Sequence, residues 1–409
     1  MTLSRVVLYD LSTGGHHIKH VRYLAEYLCS EGYEVAFVTL CPNTDTKRLQ
    51  VQLPQLHIHF MTSRQNPTDR LGPVRYAFRS WWGIGQCFRF ARCWGATHVC
   101  FMYLDHSEIP LRLQLCAWRR RSWRSFGFLI WSYVSRRDAD RPRWYRRAYR
   151  EARQRALCAM LSKEMLEAVF VDTDWARDTI LCKCGGCPEV GDRLIVVPSP
   201  CEPFAKTVSM EEARVRLSLP TRKCLLLFFG RLREDKGPDI LLDAIRSLEC
   251  DVILVIAGQE GYVTAGQVET FRMSLPGPAE VLPRIQYIEP DEESLYFTAA
   301  DVVVLPYRKG FRGVSGVLHN AAAAGKPVIA SDVGEIGGLV RRYSLGIVVE
   351  PESPAALRDG IRQFVQNRAE IEAAAQAEAR RYVADHHWRR MAELVEAAFR
   401  GERPTREKA

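Results

Sequence analysis

No uninterrupted apolar run in the 409 residues approaches the roughly 18 needed to span a bilayer, and the opening stretch MTLSRVVLYDLSTGG lacks the long apolar core of a secretory leader. A cytosolic protein is therefore expected. Short-period repeats and low-complexity tracts are also missing. The thirteen cysteines form no framework of regular pairs. They are odd in number and scattered through apolar segments such as THVCFMYL and KCLLLFFG, so reduced core thiols are expected rather than disulfides. One cluster differs. LCKCGGCPEV sets Cys182, Cys184 and Cys187 close together with Cys201 downstream, a trio plus one that could bind zinc. No second C-x2-C pair supports metal, and loop cysteines are the favoured reading.

Lysine is absent between Trp118 and Arg155, yet that stretch holds thirteen arginines and three acids, a net +10 in a chain whose total is +9. Everything else is close to neutral. Four of the nine tryptophans (Trp118, Trp123, Trp131 and Trp144) fall in the same stretch. Basic side chains mixed with interfacial aromatics suit an anionic membrane surface, where each Lys or Arg contributes on the order of 1 kcal/mol. A solvated helix face with its tryptophans turned inward is the competing reading, and nucleic acid ranks below both.

A length of 409 residues with 47% hydrophobic and 26% charged content suits two folded domains, because single cores stop growing near 250 to 300 residues. Short runs rich in valine, isoleucine and phenylalanine alternate with helical patterns, the signature of parallel sheets with crossover helices. In the first half they are RVVLY, EVAFVTL, LHIHFM, THVCFMYL, FGFLIW, AVFVD and RLIVVPS. In the second they are CLLLFFG, DVILVIAG, RIQYIE, DVVVLPY, KPVIAS and LGIVVE. Between the sets, residues 200–222 are rich in proline around one short helical piece and read as a linker. The expected organisation is α/β, with two Rossmann-like doubly wound domains facing across a cleft. Residues 1–204 form the first domain, 205–385 the second, and 386–409 a helix packing back toward the first domain, then a tail.

FFGRLREDKGPDILLDAI begins as a buried strand, turns at Gly230, and presents Arg231 and Lys236 before a helix opening near Asp239. Two cations and a tight turn at the carboxyl end of a parallel strand suit a phosphate. GVSGVLHNAAAAGKPVIASD begins a helix at Ser315, flanked by Gly313, Val314 and Gly316. Its open N–H groups favour an anion by roughly 0.3 to 1 kcal/mol. Alanine at 321–324 permits close packing on a sheet, and Gly325 ends the helix.

These motifs, together with AADVVVLPYRKGFRGVSGVLHNAAAAGKPVIASDVGEIGGLV and the late HHWRRMAELVEAAF, resemble the retaining glycosyltransferases of family 4, which have the GT-B fold. The resemblance implies transfer of a sugar from a nucleotide-sugar to a glycan or lipid-linked acceptor, with retention of configuration and no metal or other cofactor. It puts the nucleotide in the second domain, the acceptor in the first, and the protein in the cytoplasm, peripheral on the inner face of a membrane. Arg231 and Lys236 would carry the diphosphate. The family's two glutamates fall on Arg312 and Asn320; in relatives the second receives the ribose hydroxyls and the first contacts the sugar. Asn320 keeps hydrogen bonding but loses charge assistance, and Arg312 suits either an acidic sugar or a loop on a different path. In LYDLSTGGHHIKHVRYLAEYL, Gly14 and Gly15 correspond to a loop where donor and acceptor meet. His16 and His20, four apart, lack a third ligand for metal. YLDHSEIP ends a strand with Asp105 and His106, either of which could reach the donor sugar. A non-catalytic sugar-nucleotide or glycan-binding relative and a nucleotide-sugar epimerase are the alternatives.

Overall fold

The computed structural model describes residues 4–13, 16–61, 73–130, 144–204, 208–311 and 313–402. The chain divides into two units, Met1–Pro200 with Trp388–Ala409, and Cys201–His387.

The first unit is built on seven parallel strands: β1 (Arg5–Tyr9), β2 (Glu34–Thr39), β3 (His57–Phe60), β4 (His98–Phe101), β5 (Arg124–Leu129), β6 (Ala168–Val171) and β7 (Leu194–Val196). Their order is β3-β2-β1-β4-β5-β6-β7. Val6, Val7 and Leu8 are wholly buried in succession, as expected of a strand covered by helices on both faces. The helix Trp388–Arg400 returns to this unit and lies against the helix His16–Ser30, burying Met391, Val395 and Phe399. Tyr33 fixes it by donating to Glu396 Oε1 at 2.9 Å.

The second unit has six parallel strands: β8 (Cys224–Phe229), β9 (Val252–Ala257), β10 (Glu280–Arg284), β11 (Val302–Leu305), β12 (Val328–Ser331) and β13 (Gly346–Val349), ordered β10-β9-β8-β11-β12-β13. One strand is displaced from its expected place. RIQYIE is not a strand; EVLPR, just before it, pairs with β9 instead, Glu280 opposite Ile253. The proline that disguises EVLPR is tolerated because β10 is an edge strand, where a missing N–H need not break a ladder.

The cysteine expectation is also corrected. Cys158 on the helix Trp144–Ser162 forms a disulfide with Cys184, their Cα atoms 5.2 Å apart. Cys184 caps the carboxyl end of the helix Asp174–Lys183, which brings it to Cys158. This bond removes Cys184 from the zinc trio, Cys182 and Cys187 are exposed thiols, and no group of three potential metal ligands occurs among the described residues.

Residues 201–222 belong to the second unit. Their helix Met210–Arg216 is tied down by Arg214, which is buried and donates to the carbonyls of Ala299 (2.9 Å) and Thr221 (2.9 Å) and to Asp301 Oδ2 (2.8 Å). Asp301 also receives the backbone N–H of Leu225 at 2.6 Å, so one carboxylate joins this helix to the start of β8. Arg368 also pairs with Asp301 Oδ1 at 2.5 Å, so truncating Arg214 leaves that carboxylate one cation while the carbonyls of Ala299 and Thr221 lose their donor. Arg214→Ala is therefore expected to destabilise the second unit by about 1–3 kcal/mol in denaturant unfolding. A loss within the error of the wild-type transition would show that the helix is not anchored this way.

Candidate functional site

In each sheet the chain leaves its first strand toward one side and later returns to the other: β1 lies between β2 and β4, and β8 lies between β9 and β11. The carboxyl ends on either side of such a switch point diverge and leave a crevice. In the second unit Gly230 and Arg231 directly follow β8, and in the first Asp105 and His106 follow β4.

In the second unit, β8 runs into Gly230, whose φ of 98° demands glycine and whose N–H donates to Ala257 O at 2.8 Å. Arg231 follows, exposed, its Nε donating to Glu260 O at 3.1 Å. A single 3-10 turn, Glu234–Lys236, ends at Gly237, where a Cβ would stand 2.1 Å from Pro306 O. Pro238 then opens the helix Pro238–Arg246.

The turn aims Lys236 back toward the strand end. Its Nζ donates to Phe229 O at 3.3 Å and lies 6.0 Å from the centre of the Tyr307 ring. Burial pushes the Lys236 ammonium down to about 8, with repulsion from Arg233 adding to the effect and Asp235 and Glu293 opposing it. The neighbouring cations are spoken for. Arg233 forks onto Asp235 at 2.9 and 2.5 Å, and Arg308 pairs with Asp239 while donating to Glu234 O at 2.9 Å. Among the described residues, Arg231 and Lys236 have no salt bridge to a carboxylate.

Tyr307 connects this turn to the loop after β11. Its hydroxyl is 2.9 Å from Ser315 Oγ, which also accepts from Leu318 N at the start of the helix Gly316–Ala323. A Cβ on Gly316 would meet nothing within 4 Å, so the protein's own packing does not require glycine there. Gly313 and Val314 are half-buried beside this helix start. His319 and Asn320 face different surroundings. His319 is buried, bonded to the Tyr382 hydroxyl at 3.0 Å, and held neutral by burial, which takes it down to about 3. Asn320 is half-buried, and its Nδ2 donates to Glu293 Oε1 at 2.6 Å. Glu293 escaped the sequence reading because it lies on another helix, Pro290–Ala299. Arg312 lies outside the described residues.

In the first unit, Asp10 just past β1 is buried, accepts from Ser12 N at 2.9 Å, and bonds His17 Nδ1 at 2.8 Å. His17 stacks on Tyr103, just past β4, with ring centres 3.7 Å apart, and His20 lies farther off at 6.4 Å. His17, which the sequence reading did not single out, is the histidine bonded to this buried carboxylate. Asp105 is buried at the end of β4, whereas His106 is exposed, takes a left-handed φ of 68°, and meets Tyr76 edge-on at 5.8 Å. Gly14 and Gly15 fall outside the described residues.

The Arg/Trp stretch is only partly a free surface. Trp123 is buried and Trp118 packs against it. Arg153 is buried in a two-point bond to Glu108 at 2.8 and 2.7 Å, and Arg124 reaches Phe399 O at 2.7 Å. Arg119 and Arg120 are exposed. Residues 131–143 lie outside the described residues. No described helix is long and apolar enough to cross a membrane.

Residues 209–382 match the family model for glycosyl transferases group 1. That match lies within the second unit and covers less than half of the chain. Among curated proteins, the chain is 30% identical over 199 residues to D-inositol 3-phosphate glycosyltransferase 1 of Catenulispora acidiphila, covering 46% of this chain and 47% of that protein. It is 32% identical over 193 residues to the D-inositol 3-phosphate glycosyltransferase of Xylanimonas cellulosilytica, covering 45% and 44%. The chain thus spans about half the length of the curated relatives it matches. Among solved structures it is similar to a glycosyltransferase from Rickettsia africae, with a TM-score of 0.70 and 13% identity over 98% of this chain and 99% of that one. It is also similar to Anabaena HepE solved with UDP and glucose, with a TM-score of 0.67 and 13% identity over 97% and 100% of the two chains. At that identity the likeness concerns the fold, two Rossmann-like α/β units as in GT-B enzymes.

An anion held at this turn should follow the charge on Lys236. That charge is present below pH about 8 and is lost as pH rises through that value. Inorganic pyrophosphate is expected to bind more weakly above pH 8 than below it, and Lys236→Met to flatten the dependence, as measured by calorimetry. An unchanged slope in the variant would remove Lys236 from the anion site.

Proposed function

We propose that the chain is a glycosyltransferase whose second unit binds the nucleoside diphosphate of an activated sugar. The observation that carries this reading is the pair Arg231 and Lys236, set without carboxylate partners among the described residues beside the Ser315 helix start, in a unit that contains the group 1 match. Both cations, with the backbone of Gly230, Gly313, Val314, Ser315 and Gly316, hold the two phosphates. Side-chain charge does the work a divalent metal does elsewhere.

Chemically, the bond from the sugar's anomeric carbon to the β-phosphate oxygen breaks and one to an acceptor hydroxyl oxygen forms. The acceptor's proton passes to the departing phosphate. Attack on the face the phosphate leaves gives retention, the outcome implied by the resemblance to family 4. Negative charge grows on the phosphate during this step, and Arg231 and Lys236 stabilise it. Asp105 and His106 of the first unit serve the sugar and the acceptor. The acceptor is a glycan or lipid-linked molecule used in the cytoplasm, with the exposed arginines among residues 118–155 touching anionic lipid. The names of the curated relatives put an inositol phosphate on the acceptor panel as well.

A stabilising donor at a developing charge commonly contributes about 3 kcal/mol, so Arg231→Ala is expected to lower turnover on the order of a hundredfold or more. The measurement is release of nucleoside diphosphate over a panel of sugar nucleotides and acceptors. A variant rate near wild type would take Arg231 out of the mechanism. Binding without transfer across the panel would favour a non-catalytic relative, and product from donor alone an epimerase.

A further inference from the structure

Exchange at a disulfide needs a second thiol within reach of one of its sulfurs and an open line of attack. Both conditions are met at Cys184. It is bonded to Cys158, and two glycines later comes Cys187, an exposed thiol. Residues 185–187 are exposed and both bonded cysteines are only half-buried, so a small molecule can approach. Gly185 and Gly186 take φ of 84° and 71°. Left-handed backbone at both central positions is what a type I′ turn requires, and a β-turn brings its first and fourth Cα atoms within about 7 Å, the limit at which two cysteines can be joined. A Cβ on either glycine would meet nothing within 4 Å, so the backbone conformation, and not packing, calls for glycine there. C-x-x-C is also the spacing of thiols that exchange readily.

We propose that the loop from Cys184 to Cys187 is a thiol–disulfide exchange site for small monothiols, in which Cys184 passes between Cys158 and Cys187. The thiolate of the monothiol attacks Cys184 Sγ, breaks the Cys158–Cys184 bond and leaves the Cys158 thiolate, which takes up a proton. Cys187 then loses its proton and attacks the same sulfur, forming Cys184–Cys187 and expelling the monothiol. Nothing is oxidised or reduced overall. The exchange replaces a bond spanning 26 residues with one inside a single turn, and so removes the covalent tie between the helices Trp144–Ser162 and Asp174–Lys183.

The test is mass mapping of disulfides and alkylated thiols in the full chain, with glutathione as the monothiol and air excluded. A thiol two residues away acts at an effective concentration on the order of millimolar, so against about 10 μM glutathione Cys187 should win Cys184 by about a hundredfold. In wild type, Cys158 should open to alkylation in step with the appearance of a Cys184–Cys187 bond. Cys182→Ser should leave this unchanged, and Cys187→Ser should abolish it. With Cys158→Ser, oxidised glutathione should give the Cys184–Cys187 bond and no lasting adduct, whereas adding Cys187→Ser should leave glutathione on Cys184, about a hundredfold more adduct. If Cys158→Ser retains glutathione on Cys184 as the double variant does, or if wild type forms no Cys184–Cys187 bond, the proposal is overturned. The mapping needs no sugar transfer, so the proposed function stands or falls separately.

Discussion

A lysine ammonium held partly out of water against a backbone carbonyl and a phenol ring is the constraint around which the second unit's site is arranged. Removing a cation from water is unfavourable unless something negative answers it. Here Arg233 and Arg308 take Asp235 and Asp239, so the nearby acids are largely committed before Lys236 is served. The turn cannot relax to release the lysine, because Gly237 sits against the Pro306 carbonyl and Gly230 needs its positive φ. Local folding therefore fixes a charge whose natural complement is an external anion, and the Tyr307–Ser315 bond places a helix start at the same point.

How far this could be read from sequence follows from how local each interaction is. Parallel strands buried on both faces appear as continuous apolar runs, and twelve of the thirteen strands fall on runs recognised that way. Gly230, Lys236 and Ser315 were legible because a turn, a cation and a cap each depend on a few adjacent residues. β10 was hidden by Pro283, harmless only because the strand lies at an edge, which is a property of the assembled sheet. The Cys158–Cys184 bond spans 26 residues, and the Asn320–Glu293 bond joins two helices 27 residues apart. Nothing in the spacing of either pair announces contact. His17 meets Asp10, seven residues away, a contact that its spacing from the neighbouring histidines does not encode.

The arginine-rich stretch shows a related limit. Its excess of charge was counted within the stretch, but several of its arginines find partners beyond it: Arg153 at Glu108, Arg124 at Glu167 and Phe399 O, and Arg121 at Met165 O. A net count over a window treats such groups as surface charge, whereas a buried guanidinium bonded at two points contributes little to any external field. Trp118 and Trp123 likewise lie in or against the core of the first unit. The mixture of aromatic and basic residues that suggests a lipid surface is, over the described residues, in good part an internal packing arrangement.

Topology supplies a crevice in each unit, and residue chemistry makes the two unlike. At the β8/β11 switch point the cations Arg231 and Lys236 and a helix start converge, which suits phosphate. At the β1/β4 switch point the groups are Asp10, His17, Tyr103 and Asp105. Burial raises the Asp10 carboxyl, with the His17 bond drawing it back, so hydrogen bonding and aromatic stacking prevail there over net positive charge. An arrangement of that kind is suited to hydroxyl groups and poorly suited to a pyrophosphate. The same doubly wound plan thus carries two cations and a helix start in one unit, and a buried carboxylate, an imidazole and a stacked phenol ring in the other.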